Sequence, residues 1–94
     1  MVIASATIEL EIPHSVSLKD KRRVVQSVLA RLRRDFNLAA AEVDALDERQ
    51  RAIIAIVTVS NDAGYAHGLL EKAVNGLAES RLDCDLASYH VELF

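Results

Sequence analysis

The segment that most constrains the fold runs from Arg51 to Ser60, where seven of the ten side chains are apolar and fall on both faces of a strand. Successive side chains of a β-strand point to opposite faces of the sheet, so a strand that is apolar on both faces has neither face in water. Such a strand belongs in the interior of a sheet rather than at its edge. The sequence therefore predicts a central strand at 51–60.

A second strand is predicted near the N-terminus, where residues 2 to 12 alternate between two kinds of side chain. One face is apolar and consists of Val2, Ala4, Ala6, Ile8, Leu10 and Ile12, whereas the intervening positions include Ser5, Thr7, Glu9 and Glu11. A period of two over this length indicates a strand with one buried face. Pro13 ends the strand because proline has no N–H for the ladder.

Two amphipathic helices are predicted. The first spans 18–36, with Ser17 as its N-cap and Asp20 at the third helical position, an arrangement close to a capping box. The second spans about 62–81, after the capping residues Ser60, Asn61 and Asp62. Their apolar stripes are expected to face the core; they comprise Leu18, Val25, Val28, Leu29, Leu32 and Phe36 in the first helix, and Ala66, Leu69, Leu70, Ala73, Val74 and Leu77 in the second.

The remaining segments complete the order β-α-β-β-α-β. Residues 38–46 read as a short strand, 47–50 as a polar turn and 82–94 as a last strand. Right-handed crossovers in each β-α-β half interleave the strands into a four-stranded antiparallel sheet with both helices on one face. The expected fold class is α+β and ferredoxin-like, in a single domain covering 1–94.

A sheet with both helices on one face leaves its other face uncovered. We expect Ile54, Ile56 and Tyr89, or its neighbours, to point there and to make part of that face apolar. A second copy of the chain related by a two-fold axis would cover it. The sequence therefore predicts a homodimer that forms through the open sheet face.

Cysteine content and the N-terminal segment bear on the cellular compartment. Cys84 is the single cysteine, which excludes an internal disulfide and fits a reducing environment. The segment 1–11 has no basic region and contains Glu9 and Glu11, so it resembles neither a signal peptide nor a membrane span. A cytoplasmic protein without membrane association is expected.

Charge is distributed unevenly along the chain. The segment 17–36 carries Asp20 and Asp35 against seven basic residues, Lys19, Lys21, Arg22, Arg23, Arg31, Arg33 and Arg34. Its net charge is therefore +5, and because the whole chain has a net charge of −3, the remainder carries −8. A mildly acidic body with one basic segment is the pattern expected for local attraction to a polyanion.

Most of these cations share one face of the first helix. At about 100° per residue, Lys19, Arg22, Arg23, Arg33 and Arg34 lie within one solvent-facing arc opposite the apolar stripe. Lys21 lies inside the apolar arc and is expected to extend its ammonium group to the edge. Two interpretations of the cluster stay open: phosphate binding, or a charged outer face built from good helix formers that keeps a small protein soluble.

Several separated motifs resemble one family of small bacterial proteins, the YlxP-like family. They are Ser17-Leu18-Lys19, Lys21-Arg22-Arg23-Val24-Val25, Phe36-Asn37, Ala41-Glu42-Val43-Asp44, Gln50-Arg51-Ala52 and Val59-Ser60-Asn61-Asp62. The resemblance spans nearly the whole chain and implies a ferredoxin-like fold. Genes of this family often lie among translation and ribosome-maturation genes, and no biochemical function is established for the family.

Other binding and catalytic chemistries are weakly supported. RNA-recognition motifs stack bases on aromatic side chains of the two central strands, and the 51–60 strand has none. Acylphosphatases bind phosphate with a glycine and an arginine in the loop after the first strand, and residues 13–17 contain neither, although Ser15 and Ser17 could hold an anion at a helix N-terminus.

Metal and paired-carboxylate sites are also weakly indicated. His14, His67 and His90 fall on three different elements, so no metal or other cofactor is predicted. Glu42 and Asp44 are expected to share one strand face and, with Glu48, to form an acidic edge that resists strand addition. No catalytic residues are predicted.

These observations lead to three functional hypotheses. The first is a non-enzymatic module that contacts ribosomal or other structured RNA, or a ribosome-associated protein, through Lys19, Lys21, Arg22, Arg23, Arg33 and Arg34. The second is a protein–protein adaptor that dimerises through its sheet and offers the basic helix to an acidic partner. The third is a hydrolase of phosphate esters or acyl phosphates that uses the loop 13–17.

Overall fold

The computed structural model describes residues 1–80 and 83–94. Its elements follow the predicted order and are β1 (Val2–Glu11), α1 (Leu18–Asp35), β2 (Ala39–Asp44), β3 (Arg51–Ser60), α2 (Ala63–Glu79) and β4 (Asp85–Leu93). The predicted bounds differ from these by one to three residues at several ends. The expected end of the second helix at Arg81 and start of the last strand at Leu82 lie outside the described residues.

Both helices begin at the capping residues that the sequence indicates. The Ser17 hydroxyl accepts a hydrogen bond from Asp20 N at 3.1 Å, at the start of α1. The Asp62 carboxylate accepts from Gly64 N and Tyr65 N at the start of α2. These bonds satisfy N–H groups that have no partner within the helix. Within the described ranges, neither helix is long and apolar enough to cross a membrane.

The four strands form one antiparallel sheet in the order β2-β3-β1-β4. Strands β1 and β3 are central, as the apolar pattern of 51–60 requires, and β2 and β4 are the edges. Both helices pack on the same face of the sheet, because one buried cluster joins the apolar stripes of α1 and α2 to the same alternate residues of β1 and β3. The fold is therefore ferredoxin-like α+β, as predicted.

The core lies between this face and the two helices. Side chains of alternate positions on β1 meet the stripes of α1 and α2, and the buried set includes Ala4, Ala6, Ile8, Leu10, Val25, Val28, Leu32, Leu70 and Val74. A core of small and branched aliphatic residues reaches full burial only by close interdigitation, because the buried set of the described residues contains no aromatic ring to fill gaps.

The predicted composition of the open sheet face is wrong. Ile54 and Ile56 are fully buried, and they stand opposite Ile8 and Ala6, which face the helices. Tyr89 also stands opposite Ile8, and its hydroxyl donates a 2.7 Å hydrogen bond to Glu71 of α2. When both faces of a strand are apolar, its sequence does not show which of the two alternating sets of side chains faces the helices. The register with β1 decides this.

The uncovered face carries a different set of residues. On β3 these are Ile53, Ala55, Val57 and Val59, with Ile3 of β1 paired to Val59. Glu9, Glu11, Asp85 and Glu92 lie on the same face toward β1 and β4. The open face is thus apolar on the β3 side and acidic on the β4 side.

Candidate functional site

Helix α1 carries the candidate site on its outer surface. We define the basic stripe as Lys19, Arg22, Arg23, Arg33 and Arg34; all five side chains lie on the solvent side of the helix. The apolar residues on the opposite side of α1 are buried, including Val25, Val28 and Leu32. The helical period in the sequence therefore places these cations correctly with respect to solvent.

The C-terminal part of the basic stripe is engaged within the protein. Arg33 donates a hydrogen bond of 2.6 Å to the carbonyl oxygen of Ala40 in β2. Arg34 donates to the Asp35 carboxylate at 2.9 Å, and Arg31 lies 3.7 Å from the same carboxylate. The bond from Arg34 lowers the pKa of Asp35 and raises the pKa of Arg34 itself. Part of the charge at this end is thus neutralised internally.

The N-terminal part of the stripe has no such partners within residues 1–80 and 83–94. Among the described residues, Lys19, Arg22 and Arg23 make no side-chain hydrogen bond or ion pair. We call these three residues the N-terminal cluster. They lie at i, i+3 and i+4, so they are neighbours on one surface of the first two turns. The helix dipole disfavours cations in the first turns, so these three residues do not stabilise α1 through their charge.

Lys21 is not part of this surface. Its side chain is 1% exposed, and the prediction that it reaches the solvent edge is wrong. The ammonium group donates to the carbonyl oxygens of Ala45 at 2.7 Å, Arg51 at 3.2 Å and Leu46 at 3.3 Å. It also lies 3.0 Å from Glu42 Oε2. Main-chain carbonyls of the β2–β3 loop replace water around the charge, so the side chain does not need to extend outward.

Glu42 likewise differs from its prediction. The register of β2 against β3 shifts between Glu42 and Asp44, so the two carboxylates do not share a face. Glu42 stands opposite the buried Ile54 and turns inward to Lys21, with 13% of its side chain exposed. One sequence signal could have found this pair: Lys21 and Glu42 are opposite charges at positions that the helix and strand periods assign to the interior.

The loop between β1 and α1 holds itself together with its own polar groups. The buried Ser15 hydroxyl donates to the carbonyl oxygen of Ser17 at 2.9 Å. The Ser17 hydroxyl is the cap of α1, and the Asp20 carboxylate accepts from Val16 N at 3.2 Å. The loop's own hydroxyl and carboxylate therefore satisfy Asp20 N and Val16 N, and the Asp20 carboxylate places a negative charge close to the helix N-terminus, which disfavours the binding of an external anion there.

Two of the hollows that flank this loop in the described part of the chain have charged linings of both signs. One, of about 630 Å³, is widely open and lined by Ser15, Val16, Glu48, Arg49, Gln50 and Arg51. The other, of about 380 Å³, is lined by Ile12, His14, Ser15, Asp20, Arg23, Val24 and Asp83. Each contains both acidic and basic side chains. Arg23 links the second hollow to the N-terminal cluster.

The histidines and the cysteine lie apart. His67 is 3.7 Å from Glu71 and His90 is 3.2 Å from Glu92, each on its own element. Over residues 1–80 and 83–94, no three side chains of metal-ligating type come together. Burial, with the nearby Asp85 and Asp83, raises the pKa of the Cys84 thiol, which disfavours the reactive thiolate.

The open sheet face is poorly suited to nucleic acid. Its central positions on β1 and β3 carry no aromatic side chain for base stacking. Glu9 and Glu11 would also repel phosphates. Arg51 is the cation at this end of the face, and Glu9 and Glu48 bind it at 3.0 and 2.8 Å, which raises its pKa further.

Comparison with known proteins identifies the family. The model of a family described as a protein of unknown function, DUF503, matches residues 3–91, which is almost the entire chain. The chain belongs to the DUF503 family. This confirms the resemblance to YlxP-like proteins, which are members of that family. No curated protein matches the sequence.

In this DUF503 protein, three of the motif segments meet at one end of the sheet, namely those that contain Lys21, Glu42 and Gln50. Gln50 donates from Nε2 to the carbonyl oxygens of Pro13 at 3.3 Å and Ser15 at 3.1 Å, and its own carbonyl accepts from Ile12 N. Lys21 binds the same β2–β3 loop from α1. These motif residues fix the two loops against each other, and they do so from the interior, leaving the N-terminal cluster outside.

Proposed function

We propose that this DUF503 protein is a non-enzymatic binding module that contacts the phosphate backbone of ribosomal or other structured RNA through the basic stripe of α1. The observation that carries the proposal is the N-terminal cluster: Lys19, Arg22 and Arg23 lie on the solvent side of α1 and have no internal partner among the described residues. Cations that neither stabilise their helix nor pair internally are available to an anionic partner.

The length of the stripe fits an extended polyanion better than a single small anion. Lys19 and Arg34 are 15 positions apart, which corresponds to about 22 Å along a helix axis. Arg33 uses one of its five N–H donors on Ala40 and keeps the others for a ligand. A double-stranded RNA presents its phosphates over such distances and is recognised mainly through shape and backbone.

Charge distribution supports binding through this face rather than the sheet. The acidic residues of the open face and the net charge of −3 repel RNA elsewhere on the protein. Recognition through α1 alone involves a small number of phosphates. We therefore expect modest affinity that falls steeply with salt, and the log–log slope should become shallower by about 1 for each phosphate that a variant no longer neutralises.

The first experiment is co-sedimentation of the protein with ribosomal particles from lysate at low and moderate salt, with RNase treatment as control. Its central variant reverses the charge of Lys19, Arg22 and Arg23 to glutamate. Arg33 stays unchanged in this variant, because its loss would also free the Ala40 carbonyl and disturb β2. Glutamate in the first helical turns is favoured by the helix dipole, so the triple variant is expected to fold.

Lys72→Glu is the control for a charge reversal elsewhere on the surface, since Lys72 is an exposed lysine on α2 and not on the stripe. We expect the wild-type protein and Lys72→Glu to travel with a ribosomal subunit or precursor and to leave it with salt or RNase. The triple variant should stay at the top of the gradient. Binding that survives in the folded triple variant, or that resists RNase, contradicts the proposal; the second result would indicate a protein partner instead.

A further inference from the structure

The two edge strands of the sheet, β2 and β4, differ in length and regularity. On β2, a strand of six residues, Arg33 of α1 binds the Ala40 carbonyl and the register shift at Glu42 interrupts the strand. Strand β4 has nine residues and contains no proline or lysine. Its register shift lies near its start, opposite Glu9 and Leu10, and leaves the segment from Ser88 to Leu93 regular. Exposed regular edges pair with other strands unless something blocks them.

The main-chain groups that β4 offers can be assigned. Ile3 and Phe94 exchange both main-chain hydrogen bonds, at 3.1 and 2.7 Å. Antiparallel strands alternate, so Glu92 and His90 also turn their N–H and C=O groups toward β1. The groups of Tyr89, Val91 and Leu93 therefore point away from the sheet. No other described part of the chain bonds to these outward main-chain groups.

Large apolar side chains are exposed along the same segment. Tyr89 is 40% exposed, Leu93 48% and Phe94 69%. An exposed edge with apolar side chains is a hazard for aggregation unless the functional form covers it. The β4 edge therefore combines outward-pointing main-chain groups with exposed apolar side chains, as a protein interface does, and the side chains of 89–93 indicate which partner strand fits.

We propose that β4 pairs with β4 of a second copy of this chain, antiparallel about a two-fold axis at Val91, joining two sheets into one of eight strands. In this register Tyr89 stands opposite the partner's Leu93, and His90 stands opposite the partner's Glu92. The three outward-facing positions on each strand form three pairs, each exchanging two main-chain bonds.

The side chains complement each other on both faces. On the helix side, an aromatic ring meets an aliphatic side chain twice and Val91 meets its own copy, and aromatic–aliphatic cross-strand pairs stabilise sheets. On the open side, an imidazole meets a carboxylate twice, which is attractive when the imidazole is charged and a hydrogen bond when it is neutral. Within one protomer His90 and Glu92 already lie 3.2 Å apart, so the pairing extends an existing contact.

The edge is favoured over the open sheet face as the dimer surface. A two-fold contact over the whole face would bury Glu9, Glu11, Asp85 and Glu92 either against the same acidic residues of the partner, with repulsion, or against the partner's apolar β3 side, without a counter-charge. Edge pairing avoids both arrangements and satisfies main-chain groups that a face-to-face contact leaves in water.

The test is sedimentation equilibrium of the full chain over a range of concentrations, with circular dichroism to confirm folding. The wild-type protein should have twice the 10.3 kDa mass of one chain. Leu93→Lys places a lysine on the edge and should be monomeric at the same concentrations. Val59→Lys is the matched control, a similarly exposed apolar residue on the open face, and should stay dimeric.

Charge exchange tests the register. His90→Glu places a carboxylate opposite the partner's Glu92 in both symmetry-related pairs and should weaken the dimer about tenfold. The double variant His90→Glu/Glu92→His restores the opposite pairs and should recover wild-type association. A monomeric wild-type protein at all concentrations overturns the proposal. A Val59→Lys monomer beside a Leu93→Lys dimer also overturns it and assigns the interface to the sheet face.

Discussion

Replacing Lys21 with methionine removes the ammonium group from the interior while keeping a side chain of similar length. The variant leaves the Glu42 carboxylate, which is 13% exposed, without its counter-ion at 3.0 Å. It also leaves three carbonyls without their donor, those of Ala45 and Leu46 in the β2–β3 loop and that of Arg51 at the start of β3. Removing one partner of a buried ion pair costs about 3–5 kcal/mol. Because small domains have about 5–15 kcal/mol of stability, Lys21→Met should lose a large fraction of it.

Urea denaturation followed by circular dichroism measures this loss. With a denaturant slope of about 1 kcal/mol per molar for a small domain, the midpoint should fall by about 3 M or more. Arg22→Met is the matched control, because Arg22 is the next residue, exposed and without an internal partner in the described chain. Its free energy of unfolding should change by no more than about 0.5 kcal/mol.

A double variant separates the cost of the stranded charge from the loss of packing. In Lys21→Met/Glu42→Gln the carboxylate is replaced by a neutral amide, so the double variant should be more stable than Lys21→Met alone. Hydrogen exchange in the β2–β3 loop should quicken in both variants, since Lys21 binds that loop. A cost of less than about 1 kcal/mol for Lys21→Met, or no recovery of stability with Glu42→Gln, would refute a structural role for the buried pair.

Two further predictions concern the helices. Gly68→Ala and Gly76→Ala should each raise the free energy of unfolding by about 0.5–1 kcal/mol in thermal or urea melts. Both residues lie inside α2, and a Cβ at either position meets nothing within 4 Å. A loss of stability would mean that the fold requires glycine at that position and would contradict the prediction. The hydrogen bond from Arg34 lowers the pKa of Asp35 in the folded protein. Asp35 therefore stabilises the fold above its unfolded pKa of about 3.9, and this stabilisation is lost as the pH falls through the lower pKa of the folded state. The stability difference between the wild-type protein and Asp35→Asn, measured from about pH 6 to about pH 2, should therefore shrink in acid; a difference that does not depend on pH would contradict this.

The elements of the fold were predictable because each depends on local patterns. The alternation over 2–12 is a strand, the caps Ser17 and Asp62 begin the helices, and the β-α-β-β-α-β order leaves few topologies. The exposure of the basic stripe followed from the helical period alone. The resemblance in the motifs agreed with the family match over residues 3–91.

Contacts between elements were not predictable in the same way. The carbonyls that Lys21 binds belong to residues 24 to 30 positions further along the chain, and Arg33 binds a carbonyl of the strand that follows its helix. Long basic side chains look alike in a sequence, although one is buried, one binds a carbonyl of β2, and others have no partner in the described part of the chain. The distinction depends on which acceptors the tertiary fold brings within reach.

The sequence by itself determined the secondary structure, the fold class and the solvent-facing side of α1, because hydrophobic periods and caps are properties of short segments. Tertiary structure alone decided which face of β3 is covered, since the choice rests on the register Ile8 to Ile54 and not on the composition of β3. It also decided that Lys21 belongs to the interior, because the energy of a buried charge depends on the ligands that surround it, and these come from residues distant in the chain.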